Sequence, residues 1–423
     1  MRGTCGLAAA ALVSGAALPA QAASPSQASG SAQAARSAGP GVVQVDLGMG
    51  GAQPNGWSQA SGMSADGRYA LFVSQASNLV PGDTDGDYDA FVRDLRTGGI
   101  ERVSAGDDVL PGGAGEASIS ADGRYVAFTA VVPPGWPGGS DSATWQLFLR
   151  DRRTGHAEQL THGADEPDAP AISGNGRYIA YATRQGTGVH VIDVRKETTR
   201  LITTAPDGSP ADRRSDHPVI SADGSAVGFL SRATNLLPRD PAATETAAAA
   251  LSRPSRPQRF YVWNRHTGRI QGASLDPAGA PRAADLDATL SLDGRYAVFS
   301  TPEPNGPDTT DSHIELYVRD LWRGRTEKAA RPLPGTVMTG DSHNGVMTAG
   351  RSVYFASTAD NLTPGDTNQA TDIFRHDLRT GRTQRIDMTG VAWTPISLRV
   401  DSFGATALFE EVGKVYARPL PRA

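Results

Sequence analysis

The chain has one cysteine, Cys5, and only three lysines, Lys196, Lys328 and Lys414, in 423 residues. A single thiol excludes intrachain disulfides, so the fold must rest on its core, and a chain of this length can bury one. Basic residues are not in excess. The 40 Lys+Arg stand against 45 Asp+Glu, a net charge of −5, which excludes the basic footprint of a nucleic-acid binder. Aromatics are scarce at 6%, yet apolar residues at 39% exclude a wholly disordered chain. No apolar run is long enough to cross a bilayer; the stretch Gly6 to Ala20 falls short of the roughly 20 residues required. The shortage of lysine beside 37 arginines is a coding bias that suggests a GC-rich bacterial genome and carries no function. Turn formers are abundant instead. The 48 Gly and 29 Pro make about 18% of the chain against an ordinary level of about 12%, which excludes a helical bundle.

The first residues read as an address. Met1-Arg2 is a positive start, the apolar stretch follows, and Ala20-Gln21-Ala22 is a small-x-small cleavage site. Residues 1–22 are therefore expected to be a secretory signal peptide, with a retained membrane anchor as the alternative. Cys5 precedes the apolar stretch, so it is not placed to be the lipid-modified cysteine of a lipoprotein. Residues 23–40 are Ala/Ser/Gln-rich without periodicity and read as a disordered linker. The expected location is extracytoplasmic, with no membrane span after cleavage.

One phrase then recurs. Ser64-Ala-Asp66-Gly67-Arg68-Tyr69-Ala-Leu-Phe72 returns at Ser120 to Phe128, Ser173 to Tyr181, Ser221 to Phe229 and Ser291 to Phe299. Weaker copies run from Thr348 to Phe355 and from Val400 to Phe409. Seven copies at this spacing point to a propeller or a solenoid. The unit reads as four strands. A short strand ends at the Ser, and Asp-Gly makes a tight turn. A buried strand follows. After a variable loop comes a third strand such as Ala90 to Asp94, Leu147 to Asp151 or Leu316 to Asp320. A Thr-Gly turn leads to a short polar fourth strand. This predicts an all-β, seven-bladed β-propeller of four-stranded blades over residues 41–423. Six or eight blades are the alternatives, because the last two copies are weak. The seventh copy lacks a fourth strand, while Val42 to Asp46 resembles one. Residues 42–47 are therefore expected to pair with the last blade and close the ring, removing its open edges.

The Ser-x-Asp-Gly-Arg-Tyr-x-Ala-Phe phrase, followed by Tyr/Phe-Val-x-Asp and Thr-Gly, resembles the WD-like repeats of TolB-like β-propellers. The resemblance covers residues 42–423 and implies the fold rather than a function. TolB itself carries an α/β domain before its propeller; here only the linker stands there, so the Tol–Pal role is not implied. The Gly-x-Ser-x-Gly nucleophile motif of propeller-fused peptidases is missing too.

Two constellations could carry chemistry. In Asp83-Thr-Asp85-Gly86-Asp87-Tyr-Asp89 four carboxylates alternate, and alternate oxygens can wrap a hard cation, with Ca²⁺ the candidate cofactor. Asp366, Asn368 and Asp372 repeat that framework, with Ala370 in place of the third acid. The competing reading is a solvated loop capping its own backbone. The second constellation comes from aligning the repeats. Four residues before each repeat Ser lie Ala60, Glu116, Ala169, His217, Asp287, Asn344 and Trp393, and one earlier lie Gln59, Gly115, Asp168, Asp216, Leu286, His343 and Ala392. These positions enter the innermost strands. Glu116, Asp168, His217, Asp287 and His343 are thus expected to ring one mouth of the central channel, as a ligand site or as an idle polar rim. The repeated Asp66, Asp122, Asp223 and Asp293 recur once per blade and read as structural turns. The insertion from Pro241 to Pro257 reads as a disordered loop, and Trp57 and Trp136 as aromatics near blade ends.

The functional expectation is a monomeric, secreted, non-catalytic propeller that binds a protein or glycan. The alternative is a metal-assisted enzyme in the channel mouth, such as a polysaccharide lyase.

Overall fold

The computed structural model describes residues 41–420 except 85, 105–112, 137–140, 187, 239–256, 305–311, 368–369, 387–396 and 412. The signal-peptide and linker readings, Asp85, Asn368, Ala392, Trp393 and nearly all of the Pro241 insertion lie outside the described residues.

Seven four-stranded antiparallel sheets follow one another, each in simple meander order. Their first strands are Ser58–Met63, Ala114–Ile119, Pro167–Ile172, Ser215–Ile220, Thr289–Leu290, Ser342–Met347 and Leu398–Val400. Each first strand contacts the first strand of the next blade, and the first and seventh also meet. The seven therefore encircle a common axis, and the architecture is a seven-bladed β-propeller. Val43–Gln44 forms the outer strand of the seventh blade, with Val43 opposite Ala417 and Gln44 opposite Tyr416. Arg93 of the first blade grips the same segment, its Nη1 donating to the carbonyls of Val45 and Leu47.

The repeated phrase now has a physical account. Ser64 Oγ donates to Asp66 (2.6 Å) and accepts from the Tyr69 amide (2.9 Å). Asp66 in turn accepts from the Arg68 amide. The same arrangement holds at Ser120, Ser173, Ser221 and Ser291. The Arg side chain then reaches the Asp that ends the third strand: Arg68 to Asp94, Arg124 to Asp151, Arg177 to Asp193 and Arg295 to Asp320. Hydrogen bonding from Arg68 holds the Asp94 carboxyl well below the usual range. The phrase Phe or Tyr stacks on an aromatic ring of the third strand, once in every blade, at 5.2 to 5.9 Å. These acids are structural, as expected.

The phrase also joins the blades. Turns of adjacent blades hydrogen-bond through their backbones: Ala65 to Ala121, Ala121 to Gly174, Asn175 to Ala222, Ala222 to Leu292, Ala349 to Ser402 and Ser402 to Ala65. The phrase Tyr of one blade fills the space beside the phrase Gly of the next. A Cβ on Gly176 would lie 2.4 Å from the Tyr125 ring, and Gly123 and Gly224 stand in the same relation to Tyr69 and Tyr178.

Gly176→Ala adds this clash to the strain of φ +70°. Gly381, at φ +69°, faces open space, so Gly381→Ala carries the backbone term alone, about 1–2 kcal/mol. We expect Gly176→Ala to cost about 1–3 kcal/mol more, read as a lower denaturation midpoint. Equal midpoints for the two variants would remove the inter-blade role.

Candidate functional site

Inner strands of a propeller are edges, with one side unpaired. In blades 2, 3, 4 and 6 the ladder to the second strand slips at one place: between Ala114 and Ala117, Asp168 and Ala171, Asp216 and Val219, and His343 and Val346. The residues in the bulges include Glu116, Ala169, His217 and Asn344. Ala169, His217 and Asn344 have φ of 48°, 48° and 55°, in the left-handed region that non-glycine residues seldom enter. Pro170 and Pro218 follow directly; proline is tolerated there because a bulge demands no ladder donor. Bulges re-aim side chains and often sit beside functional sites.

The bulges bring Glu116, Asp168 and His217 within electrostatic reach of one another. Burial pushes the Glu116 carboxyl up, and the Asp168 charge adds to the rise. His217, two blades away, opposes it. Blades 2 and 4 are not neighbours, so these charges act on one another past the first strand of blade 3, which carries Asp168 and Ala169. Asp168 is held by Arg184 (3.3 Å), whose guanidinium lies over the Trp145 ring (4.3 Å). Arg214 Nε donates to Asp216 Oδ2 (2.6 Å). His217 Nδ1 lies 3.1 Å from Asp216 Oδ1, an ion pair when the imidazole is protonated. The Asp216 carboxylate raises the His217 pKa, and Glu116 adds to the rise. Among the described residues no side chain hydrogen-bonds or ion-pairs with Glu116.

Asp287 and His343 form a second group on blades 5 and 6. Asp287 Oδ2 accepts from the Asn344 amide (2.6 Å) and from the Ser300 hydroxyl. Its other oxygen is buried without a donor, and burial pushes the carboxyl up, with His343 opposing. Electrostatic reach thus links the five predicted residues in two groups, Glu116, Asp168 and His217 in one and Asp287 and His343 in the other. Alignment missed one channel residue, Arg399, on the first strand of blade 7. Its only sequence signal is a charge inside the apolar run Leu398-Arg-Val400.

In the acidic loop, Asp83 and Asp89 are buried, and Arg102 of the same blade lies 3.5 Å from Asp83 and 3.1 Å from Asp89. Asp87 is exposed. Arg385 stands likewise beside Asp366 (2.7 Å) and Asp372 (3.6 Å). A cation at either loop would have to displace an arginine already balancing the carboxylates. Among the described residues, no group of three or more His, Cys, Asp or Glu is arranged to hold a metal ion. Trp136 is half-buried, with Nε1 donating to Gln159, and Trp57 is 59% exposed.

Two outcomes follow. Arg102→Ala removes the arginine beside two buried carboxylates and lowers stability by about 3 kcal/mol; added Ca²⁺ restores part of that loss and moves the wild-type midpoint little. His217→Ala costs most stability below pH 6.5, where the protonated imidazole gains from Asp216, and the cost fades as pH rises through the elevated folded-state pKa. Thermal midpoints of both proteins across pH check this, and a pH-independent difference would contradict it.

No known family model matches the chain, and no curated protein matches it in sequence. Solved structures match its fold. The tricorn protease aligns over 86% of this chain but only 33% of its own length, at 14% identity and a TM-score of 0.54. An oligogalacturonate lyase from Vibrio parahaemolyticus aligns over 90% of this chain and 93% of its own, at 11% identity and a TM-score of 0.53. The β-propeller domain of the Trilobed protease from Pyrococcus furiosus, described as an open velcro, aligns over 86% and 94%, at 13% identity and 0.51. At these identities the likeness establishes the propeller fold and nothing narrower.

Proposed function

We propose that this chain is an exported, TolB-like binding propeller that takes a glycan or a protein segment at the channel mouth. The observation that carries the reading is Glu116: a solvent-exposed carboxyl on an inner strand, with no hydrogen-bond or ion-pair partner among the described residues, whose pKa is raised by the protein around it and which lies within electrostatic reach of His217. A carboxylate and an imidazole on the inner strands of alternate blades offer an acceptor and a donor to a hydroxyl pair or a peptide group. The neighbouring charges Asp168 and Asp216 are already paired with arginines, so they compete less for the ligand. The repeat phrase supports the TolB-like assignment, and the basic start with its small-x-small site supports export. Calcium at Asp83–Asp89 is a lesser proposal, tested by the Arg102 variant above.

An enzyme reading has one observation in its favour. Glu116 and His217 both have raised pKa values, and titratable groups perturbed by their surroundings are candidates for proton transfer.

The test is calorimetric titration with a panel of soluble neutral and acidic oligosaccharides, oligogalacturonate included. Glu116→Gln and His217→Ala each weaken binding by about tenfold, or 1.4 kcal/mol. Binding that neither variant alters would overturn the mouth assignment. Product formation from any bound sugar, with or without added Mn²⁺ or Ca²⁺, would move the chain to the enzyme reading.

A further inference from the structure

Arg399 is held where its charge is costly. It lies on the first strand of the seventh blade, Leu398–Val400, between Leu398, which is buried, and Val400, which is half-buried. The surrounding protein desolvates the guanidinium strongly enough to pull its pKa down, yet the side chain is exposed to solvent. Both statements hold together for a group lining the central channel, enclosed by protein and open to channel water. Its Nη1 donates to the Leu398 carbonyl at 3.2 Å, and among the described residues no carboxylate forms an ion pair with it. The charge it feels is that of Glu410, a carboxyl that is itself 8% exposed and pushed up by burial. Glu410 is engaged by the Ala60 amide, which lowers its pKa in part.

The position along the strand matters. Asp401 takes the place of the repeat Ser: its amide bonds to Thr406, as that of Ser64 bonds to Tyr69. Arg399 therefore stands two residues before that point, whereas Glu116 and His217 stand four before theirs. At about 3.3 Å per residue, Arg399 lies roughly 6–7 Å deeper, towards the belt of turns. Ala60 and Gly62 of the neighbouring blade 1 offer no side chain that could pair with it.

We propose that Arg399 is the oxyanion-binding residue of the channel, receiving a carboxylate or phosphate group whose remainder extends towards Glu116 and His217. A guanidinium presents a planar fork that matches both oxyanions. Among the described residues no carboxylate lies within ion-pair distance, so a ligand that enters the channel completes the pair. The inference extends the binding reading above, since it names the chemical class of the deeper group, an acidic sugar or a phosphorylated ligand.

The experiment is thermal unfolding of the full chain in chloride buffer with D-glucuronate, glucose 6-phosphate, inorganic phosphate or D-glucose. The two acidic sugars are expected to raise the wild-type midpoint, by about 3 °C at roughly tenfold over Kd, and glucose is not. Glucuronate against glucose 6-phosphate tells a carboxylate ligand from a phosphate one. Arg399→Met abolishes these shifts and, without ligand, raises the midpoint, because a desolvated charge is removed. Arg399→Lys keeps the charge without the fork and weakens the shift. Three results would each overturn the proposal: no oxyanion effect on wild type, a shift that survives in Arg399→Met, or an Arg399→Met protein less stable than wild type. Glu116→Gln separates the two readings. If it leaves oligosaccharide titrations untouched while Arg399→Met abolishes the oxyanion shift, the mouth assignment fails and Arg399 stands. The converse pattern removes Arg399 alone.

Discussion

Everything in this molecule depends on how one blade sits beside the next. The contact is short-range and steric: the ring of a phrase Tyr lies where a Cβ on the following blade's Gly would be, and the adjoining turns share backbone hydrogen bonds. Blades are single sheets with apolar faces, and one alone could not bury them. Seven in a closed circle bury both faces of each, and the stacked ring pair in every blade fills the space between strands two and three. Closure by Val43–Gln44 removes the last open edge.

The belt has one exception. Between blades 5 and 6 no backbone bond joins the described turns. There Asp287 reaches across the seam to the Asn344 amide, and Gly345 packs close to Val298 and Leu316. The first strand of blade 5 is also the shortest in the ring together with its three-residue counterpart in blade 7. Here a polar channel residue does structural duty, at the expense of burying a carboxyl with one oxygen unpaired. Asp287 is thus bound into the scaffold, while among the described residues Glu116 and Arg399 have no such partner from another blade. That contrast separates channel groups that hold the ring from those open to a ligand.

The acidic loops show how charge pattern and charge role diverge. Asp83 and Asp89 alternate as cation ligands do, but the fourth strand of the same blade places Arg102 between them, and Arg385 repeats the arrangement in blade 6. The arginines are separated from the acids by a whole hairpin, so loop spacing alone could not reveal the pairing.

The repeat phrase by itself pointed to seven blades, with six or eight left open by its two weak copies, and to the four-strand unit and turn chemistry, while the likeness of Val42 to Asp46 to a fourth strand pointed to closure, because each follows from local periodicity and from interactions a few residues apart. Alignment of the copies also found Glu116, Asp168 and His217, since equivalent positions in a ring converge on the axis. What only the tertiary structure decided was which of these charges are already paired. Asp168 and Asp216 are paired with arginines of their own blades, Asp287 is hydrogen-bonded by Ser300 and by the Asn344 amide of the neighbouring blade, and among the described residues Glu116 has no such partner. Arg399 escaped the alignment because the weak seventh copy is read there at Trp393, four residues short of the register that Asp401 sets, and because its significance is a matter of desolvation. Burial and pairing are properties of the closed ring, in which residues hundreds of positions apart share one dielectric environment.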